Sequence, residues 1–208
     1  MLEKKIYIIG CGPGSAEYLT TLAIQTVQGC QVVIGPEKLI SLFKSLPQNV
    51  IYTQKDVATT LKQIEDYCED FSVGVLVSGD PGCFSLSRLI IEKFGIGRCT
   101  VIPGISSVQL ALSKLGLAWT DAKVLSVHGR NPDDIICQIK DSPLVVVLLG
   151  SGIDWFEPIL TSLTQQKKVY LMQNLGLTGE KISMLKHGKD CFQAISPSSL
   201  MVMVDNQG

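Results

Sequence analysis

The sequence predicts an α/β protein made of two α/β domains with a ligand cleft between them. Three observations predict it. Short β-rich runs alternate with amphipathic stretches, several of those runs end in glycine, and the alternation restarts after a break near residues 114–122.

The elements follow in order from periodicity and punctuation. KIYIIG (Lys5–Gly10) is apolar almost throughout, as a buried strand would be. Glu17–Gly29 carries apolar residues at helical spacing, with Gly29 as its stop. VVIG (Val32–Gly35) reads as a second strand, and Pro36 opens a helix. Across Asp56–Asp70, Val57, Leu61 and Ile64 share one helical face that Asp56 is placed to cap. A strand at VGVLVSG (Val73–Gly79), a helix over Ser85–Phe94, a strand at CTVIPG (Cys99–Gly104) and a helix over Ser106–Leu115 complete the first half. This rhythm predicts a mostly parallel sheet with helices on both faces, and right-handed crossovers put the loops after the strands along one edge.

The break falls at KLGLAWTDA (Lys114–Ala122), where Gly116 stops the helix and polar Thr120 and Asp121 precede the next run. The domains are therefore expected at residues 1–115 and 116–208. Beyond the break, KVLSVHG (Lys123–Gly129), PLVVVLLG (Pro143–Gly150), KVYLMQN (Lys168–Asn174) and SLMVMV (Ser199–Val204) predict four strands, with helices near Pro132–Lys140 and Ile153–Gln165. Glu180–Gly188 fits a helix or a hairpin equally well.

Composition narrows the class. At 208 residues, 46% hydrophobic and 18% charged, the chain is globular and long enough to bury a core. A formal net charge of -1 gives no general attraction to nucleic acid or to an anionic membrane, so any anion-binding patch is local. No apolar run approaches the ~20 residues of a membrane span. MLEKKIYIIG lacks the apolar segment and cleavage site of a signal peptide, which predicts a cytoplasmic protein. Cys11, Cys30, Cys68, Cys83, Cys99, Cys137 and Cys191 stand singly, without a CxxC pair or a neighbouring His, so buried thiols and no protein-bound metal are expected.

Four predicted strand ends run into small or turn-forming residues: GCGPGS, SGDPGCF, IPGISS and LLGSG. Ligands in open α/β sheets sit beyond the carboxyl ends of strands, so one pocket can be lined by several of these loops. The first departs from a dinucleotide fingerprint. Gly10 and Gly12 fit, but Ser15 holds the place of the third glycine, Pro13 stiffens the turn, and Val33–Pro36 offers no acid. Alone, the loop is as readily a tight strand-to-helix turn. Asp80 can accept hydrogen bonds from ribose hydroxyls, orient an ammonium group or cap the helix near Ser85. Ser106 and Ser107 stand at a helix start, where capping is the default use of a hydroxyl.

In this order along the chain, GCGPG, SGDPGCF and VIPGISS resemble the signature of the tetrapyrrole methylases, which methylate corrinoid and porphyrin precursors with S-adenosylmethionine. The likeness covers essentially the whole chain. It implies two α/β domains with the methyl donor in the cleft between them, a homodimer, and a corrinoid (precorrin) small molecule as substrate. VSGDPGCFSL, VIPGISSVQLALSKLGLAW, SVHGR (Ser126–Arg130) and MQNLGLTGEKI (Met172–Ile182) are most similar to the branch that methylates carbon 5 of a precorrin or cobalt-precorrin in cobalamin (vitamin B12) biosynthesis. Larger relatives carry a second methyltransferase for carbon 15. This chain ends at Gly208, so the resemblance implies a separate carbon-15 partner.

By the same resemblance Pro13, Ser78, Gly79, Asp80, Cys83, Ser106 and Ser107 line the site of the donor and of its product, S-adenosylhomocysteine. Leu149 and Leu175 match positions that meet the adenosine chiefly through backbone. Gly12, His128 and Arg130 are the candidates facing the substrate. Two positions depart from the family: Ser15 stands where many relatives have an acid after GPG, and Ser78 where many have glycine.

A carboxylate-fringed substrate calls for arginine, which makes Arg130 the first candidate, although a solvated surface arginine reads the same way. His128 can shuttle a proton or serve as a hydrogen-bonded structural residue, and no general base is identified. Arg88 and His187 read as surface residues. Phe84, Trp119 and Trp155 can flank a macrocycle, but core packing is the commoner use of such side chains. Any cobalt arrives with the substrate. The rival readings are a methylase for another ring carbon or for ribosomal RNA, a non-catalytic nucleotide-binding module, and a dehydrogenase, which the missing third glycine and acid oppose.

Overall fold

The computed structural model describes residues 3, 5–47, 49–53, 56–127, 132–150, 163–185 and 198–206. The chain divides into two compact units, Met1–Ser107 and Val108–Gly208. The expected boundary at 115/116 lies at the far end of the helix Ser107–Leu115, which begins where the first unit ends.

The first unit contains strands β1 (Ile6–Gly10), β2 (Val32–Gly35), β3 (Asn49–Tyr52), β4 (Val73–Val77) and β5 (Cys99–Ile102). They lie in the order β3-β2-β4-β1-β5 with every pairing parallel. Alternation along the strands sorts the side chains into two cores. Ile6, Ile8, Val32, Ile34 and Val75 pack with Ile64 of α3 (Val57–Tyr67) and Ile90 of α4 (Ser87–Phe94). Tyr7, Ile9, Val33 and Leu76 pack with Ala23 and Val27 of α1 (Thr21–Gly29) and Leu39 of the short α2 (Glu37–Ile40). Two covered faces explain why these strands read as unbroken apolar runs. Burying each such isoleucine stabilises the unit by about 2 kcal/mol.

Several boundaries move for local reasons. The helix expected from Glu17 begins at Thr21, where the Thr20 hydroxyl accepts from the Ala23 N–H at 3.1 Å, and Ala16–Tyr18 forms a separate 3-10 turn. Asp56 caps α3 as expected, accepting from the Ala58 and Thr59 amides at 3.3 and 2.8 Å. Strand β3 is an addition to the sequence reading. It is an edge strand of four residues with both ends exposed, too short and too polar a run to stand out.

The second unit contains β6 (Lys123–Ser126), β7 (Leu144–Leu148), β8 (Lys167–Gln173), β9 (Lys181–Leu185) and β10 (Leu200–Asp205), in the order β6-β7-β10-β8-β9. Only the β6–β7 pair is parallel. The helices are α5 (Ser107–Leu115), which begins on the last residue of the first unit, and α6 (Pro132–Lys140). Ile135 and Ile139 of α6 pack on Leu125, Val145, Val147, Val169 and Met201. The open choice at 180–188 resolves as strand β9, because the short connection from β8 can only return the chain as an antiparallel hairpin. The helix expected over Ile153–Gln165 lies outside the described residues except for helical residues 163–165.

Of the cysteines expected to be buried, Cys11, Cys30, Cys68 and Cys99 are buried, Cys83 is half-buried and Cys137 is exposed. Cys137 sits two positions from both Ile135 and Ile139, on the opposite side of α6 from the core. Lys167 is a charge buried at a strand start, held by the Asp205 carboxylate and by the Ser142 carbonyl, the latter at 2.7 Å. Among the described residues, no helix is long and apolar enough to cross a membrane.

Candidate functional site

A parallel sheet sets all its carboxyl ends at one edge, so the loops after β4, β1 and β5 are neighbours. Backbone bonds close them together. The Cys11 N–H donates to the Val77 carbonyl at 2.9 Å, the Gly12 N–H to the Gly79 carbonyl at 3.2 Å, and the Gly79 N–H to the Gly12 carbonyl at 2.7 Å. This closeness dictates the glycines. A Cβ on Gly10 would lie 2.7 Å from the Gly104 nitrogen and 2.8 Å from both the Gly79 oxygen and Pro81 Cδ. A Cβ on Gly104 would strike the Gly79 oxygen and the Gly10 backbone. Three motifs far apart in sequence therefore form one packing unit.

Asp80 fastens that unit. Its Oδ1 accepts from the Gly82 N–H at 2.8 Å and its Oδ2 from the Gly104 N–H at 3.1 Å. The carboxylate thus ties the loop after β4 to the loop after β5. It does not cap α4, whose start is served by the Ser85 hydroxyl accepting from the Ser87 N–H at 3.1 Å. Ser78 is exposed at the same edge, Pro13 and Ser107 are half-buried, and Ser106 is buried. Burial, with the Asp80 charge second, pushes the Cys83 thiol upward, so it stays protonated near neutral pH and is a poor nucleophile.

Beyond the carboxyl ends of β2, β3 and β4 a cavity of about 460 Å³ opens, with Gly35, Pro36, Thr53, Val77, Ser78 and Phe84 in its wall and Lys38 and Asp56 contributing charge. The sequence reading did not find it, because its β2–β3 side carries no glycine motif. Phe84 has φ +47° and is 51% exposed. A bulky residue in the left-handed region is rare, and here the ring lines a cavity where core packing was the commoner expectation. Trp119 is exposed as well.

The second unit offers an edge of a different kind. Both β7 and β8 run antiparallel to β10, with Leu200 opposite Leu148 on one side and Met172 on the other. Their carboxyl ends therefore share one edge, and Leu149 and Leu175 leave the sheet there. Both side chains are buried. The Leu149 N–H donates to the Ser199 carbonyl at 3.1 Å, and Leu175 sits between Asn174 at φ +51° and Gly176 at φ +71°. What these positions can present to a ligand is main chain. Strand β6 ends beside them, its successor Val127 donating to the Leu148 carbonyl at 3.2 Å. His128 and Arg130, and also Trp155, His187 and Cys191, lie outside the described residues.

Among the described residues, no group of three or more His, Cys, Asp or Glu is arranged to hold a metal. Each edge, taken by itself, supplies mainly backbone, and the glycine edge adds the hydroxyls of Ser78 and Ser107.

Comparisons with known proteins agree with this fold. The chain is 30% identical, over 86% of its length and 88% of the relative's, to a probable cobalt-precorrin-7 C(5)-methyltransferase of Methanocaldococcus jannaschii. Its fold superposes on the crystal structure of precorrin-6Y methylase from Archaeoglobus fulgidus with a TM-score of 0.77 at 20% identity, covering 98% of this chain and 100% of that one. It superposes on uroporphyrin-III C-methyltransferase of Thermus thermophilus, complexed with S-adenosylhomocysteine, with a TM-score of 0.73 at 19% identity, covering 96% and 97%. The model of the tetrapyrrole (corrin/porphyrin) methylases matches residues 5–186, a span that runs from β1 to just past β9 and takes in all three glycine loops; the chain belongs to that family.

Proposed function

We propose that the chain is an S-adenosylmethionine-dependent C-methyltransferase that methylates carbon 5 of a cobalt-precorrin ring in cobalamin biosynthesis. The observation that carries this reading is the likeness, over 86% of the chain, to the methanogen protein of that name. The S-adenosylhomocysteine bound to the Thermus relative supports the choice of donor.

S-adenosylmethionine supplies a methyl group on a sulfonium centre, which an electron-rich ring carbon can attack without strong acid or base help. The chain's own task is then alignment and exclusion of water, and alignment can lower such a barrier by roughly 7 to 11 kcal/mol. The residues fit that task. The glycines let the three loops close into one rigid edge, Ser78 and Ser107 add hydroxyls there beside Pro13, and Asp80 keeps the loops in register. Leu149 and Leu175 offer backbone to the adenosine. The cavity walled by Phe84 takes part of the macrocycle, with Lys38 in its wall answering a carboxylate. By the family resemblance Gly12, His128 and Arg130 are the further residues assigned to the substrate. We further read the enzyme as a cytoplasmic homodimer, with any cobalt carried by the substrate.

Isothermal titration with S-adenosylhomocysteine, with NADH and ATP as controls, tests the reading. Micromolar binding of S-adenosylhomocysteine, followed by methylation of a cobalt-precorrin acceptor at carbon 5, is the expected outcome. Binding of NADH or ATP alone would overturn it.

A further inference from the structure

We propose that Glu180 is a positioning residue for the turn that carries Leu175, acting through the Gly176 amide with Lys114 as its counter-charge. The inference rests on the donor reading above. It adds a residue to which neither the sequence motifs nor the family likeness gave a role.

The turn joins β8 to β9 over residues 174–180 and bends at three residues of positive φ: Asn174 at 51°, Gly176 at 71° and Gly179 at 83°. Two backbone bonds shape it, from the Leu177 N–H to the Asn174 carbonyl at 2.9 Å and from the Glu180 N–H to the Leu177 carbonyl at 3.1 Å. Neither involves the amide of Gly176, the residue after Leu175 and the one with most conformational freedom. Glu180 supplies that restraint. Its Oε2 accepts from the Gly176 N–H at 2.8 Å, and its Oε1 accepts from Lys114 Nζ, in the last turn of α5, at 2.8 Å. Both side chains of the pair are partly covered, 37% exposed for Lys114 and 26% for Glu180.

Peptide planarity gives the contact its consequence. The Gly176 N–H and the Leu175 carbonyl belong to one trans peptide plane, so a group that fixes the first fixes the second, pointing the other way. The Leu175 side chain is buried, so what this residue can offer an adenosine is main chain, and its carbonyl is an acceptor for an N–H or O–H donor. Glu180 aims it. Lys114 holds the carboxylate ionised and directed, and the pair keeps the Glu180 carboxyl below its ordinary range, through the Lys114 hydrogen bond first and the Gly176 amide second.

The test is titration of S-adenosylhomocysteine into the full chain and three variants, each checked for its melting temperature, with steady-state kinetics on the same proteins. Glu180→Ala is expected to weaken binding about tenfold and to raise the donor KM while kcat holds, because the loss is of aim and not of chemistry. Glu180→Gln is expected to recover most of that loss, since an amide oxygen still accepts from the Gly176 N–H, and Lys114→Met to cost about threefold. Wild-type affinity in a folded Glu180→Ala protein would sink the positioning role while leaving the donor reading intact. Equal loss in the Gln and Ala variants would show that charge matters and the amide contact does not. Absence of binding by the unmutated chain would remove the donor reading and this inference with it.

Discussion

The two units build the edges at their strand ends by opposite means. In the first, side chains are deleted: Gly10, Gly79 and Gly104 let three strand ends close on one another until no Cβ fits at Gly10 or Gly104. In the second, side chains are kept but turned inward, and buried Leu149 and Leu175 leave only main chain at the edge. Each edge is then secured by one carboxylate on glycine amides, Asp80 on Gly82 and Gly104 in the first and Glu180 on Gly176 in the second. A parallel sheet demands the deletions because its loops all emerge side by side. A mostly antiparallel sheet spaces its loops across both edges and has no such demand.

A methyl group added to each kind of edge should break this symmetry most sharply. Gly10→Ala puts a Cβ within 2.8 Å of three atoms belonging to other segments, two of them backbone that cannot rotate away. The expected cost is about 3 kcal/mol or more, of the order of a 10 °C fall in melting temperature for a chain of this size. Gly179→Ala meets only Asn174 Nδ2, at 3.9 Å, and its penalty comes from φ +83° alone, about 1 kcal/mol. Calorimetric melting of both variants decides the matter. A reversed order would mean that the glycine edge is not closed by packing.

Asp80→Ala should act next in size and divide between stability and binding. Two amides lose a charged acceptor, one of them at half-buried Gly104, for about 2 kcal/mol once solvent access is allowed for. Because the loops after β4 and β5 then part, S-adenosylhomocysteine binding should fall well beyond the threefold or less expected of a Ser78→Ala control. A chemical melt paired with titration separates the two effects. An Asp80→Ala protein that melts as the wild type and binds less would make the carboxylate a ligand contact and not a fastener.

The same contrast governs what could be read from the sequence. Deletions are visible in a sequence, and GCGPG, SGDPG and IPG declared the first edge before any strand was paired. Inward-turned leucines are not visible, since Leu149 and Leu175 are chemically ordinary and their use depends on where β7 and β8 end, so only family resemblance singled them out. Asp80 was legible as a hydrogen-bond acceptor or a helix cap but not as a link, because its second partner lies 24 residues away. Phe84 stood as a candidate macrocycle flank beside the commoner core reading, since a positive φ on a phenylalanine leaves no mark in sequence. The cavity went unseen because its wall includes Thr53, just beyond β3, a four-residue edge strand without an alternating pattern.

Thiol chemistry offers the mildest separation of the two units. Cys11 and Cys30 are buried in the first, and burial pushes both thiols up to about 12. In the second, Cys137 is exposed on α6. An unfolded thiol ionises near its ordinary value of 9.0, so as pH rises past that value the unfolded chain releases protons that the folded unit retains. The stability these two thiols lend is complete below pH 9 and drains away between about 9 and 12, at pH 9.5 by about 0.8 kcal/mol each. Mild alkali should therefore loosen the first unit ahead of the second, although the first has the closer-packed edge. Iodoacetamide labelling at pH 9.5, mapped by mass spectrometry, should modify Cys137 at once and Cys11 and Cys30 only at the rate of unfolding. A Cys30→Ala protein should lose less stability between pH 8 and 9.5 than the parent by about one thiol's share. If Cys11 reacts as fast as Cys137, the edge beside it is open to solvent, and the close approach of Gly10, Gly79 and Gly104 cannot be what fixes the loops.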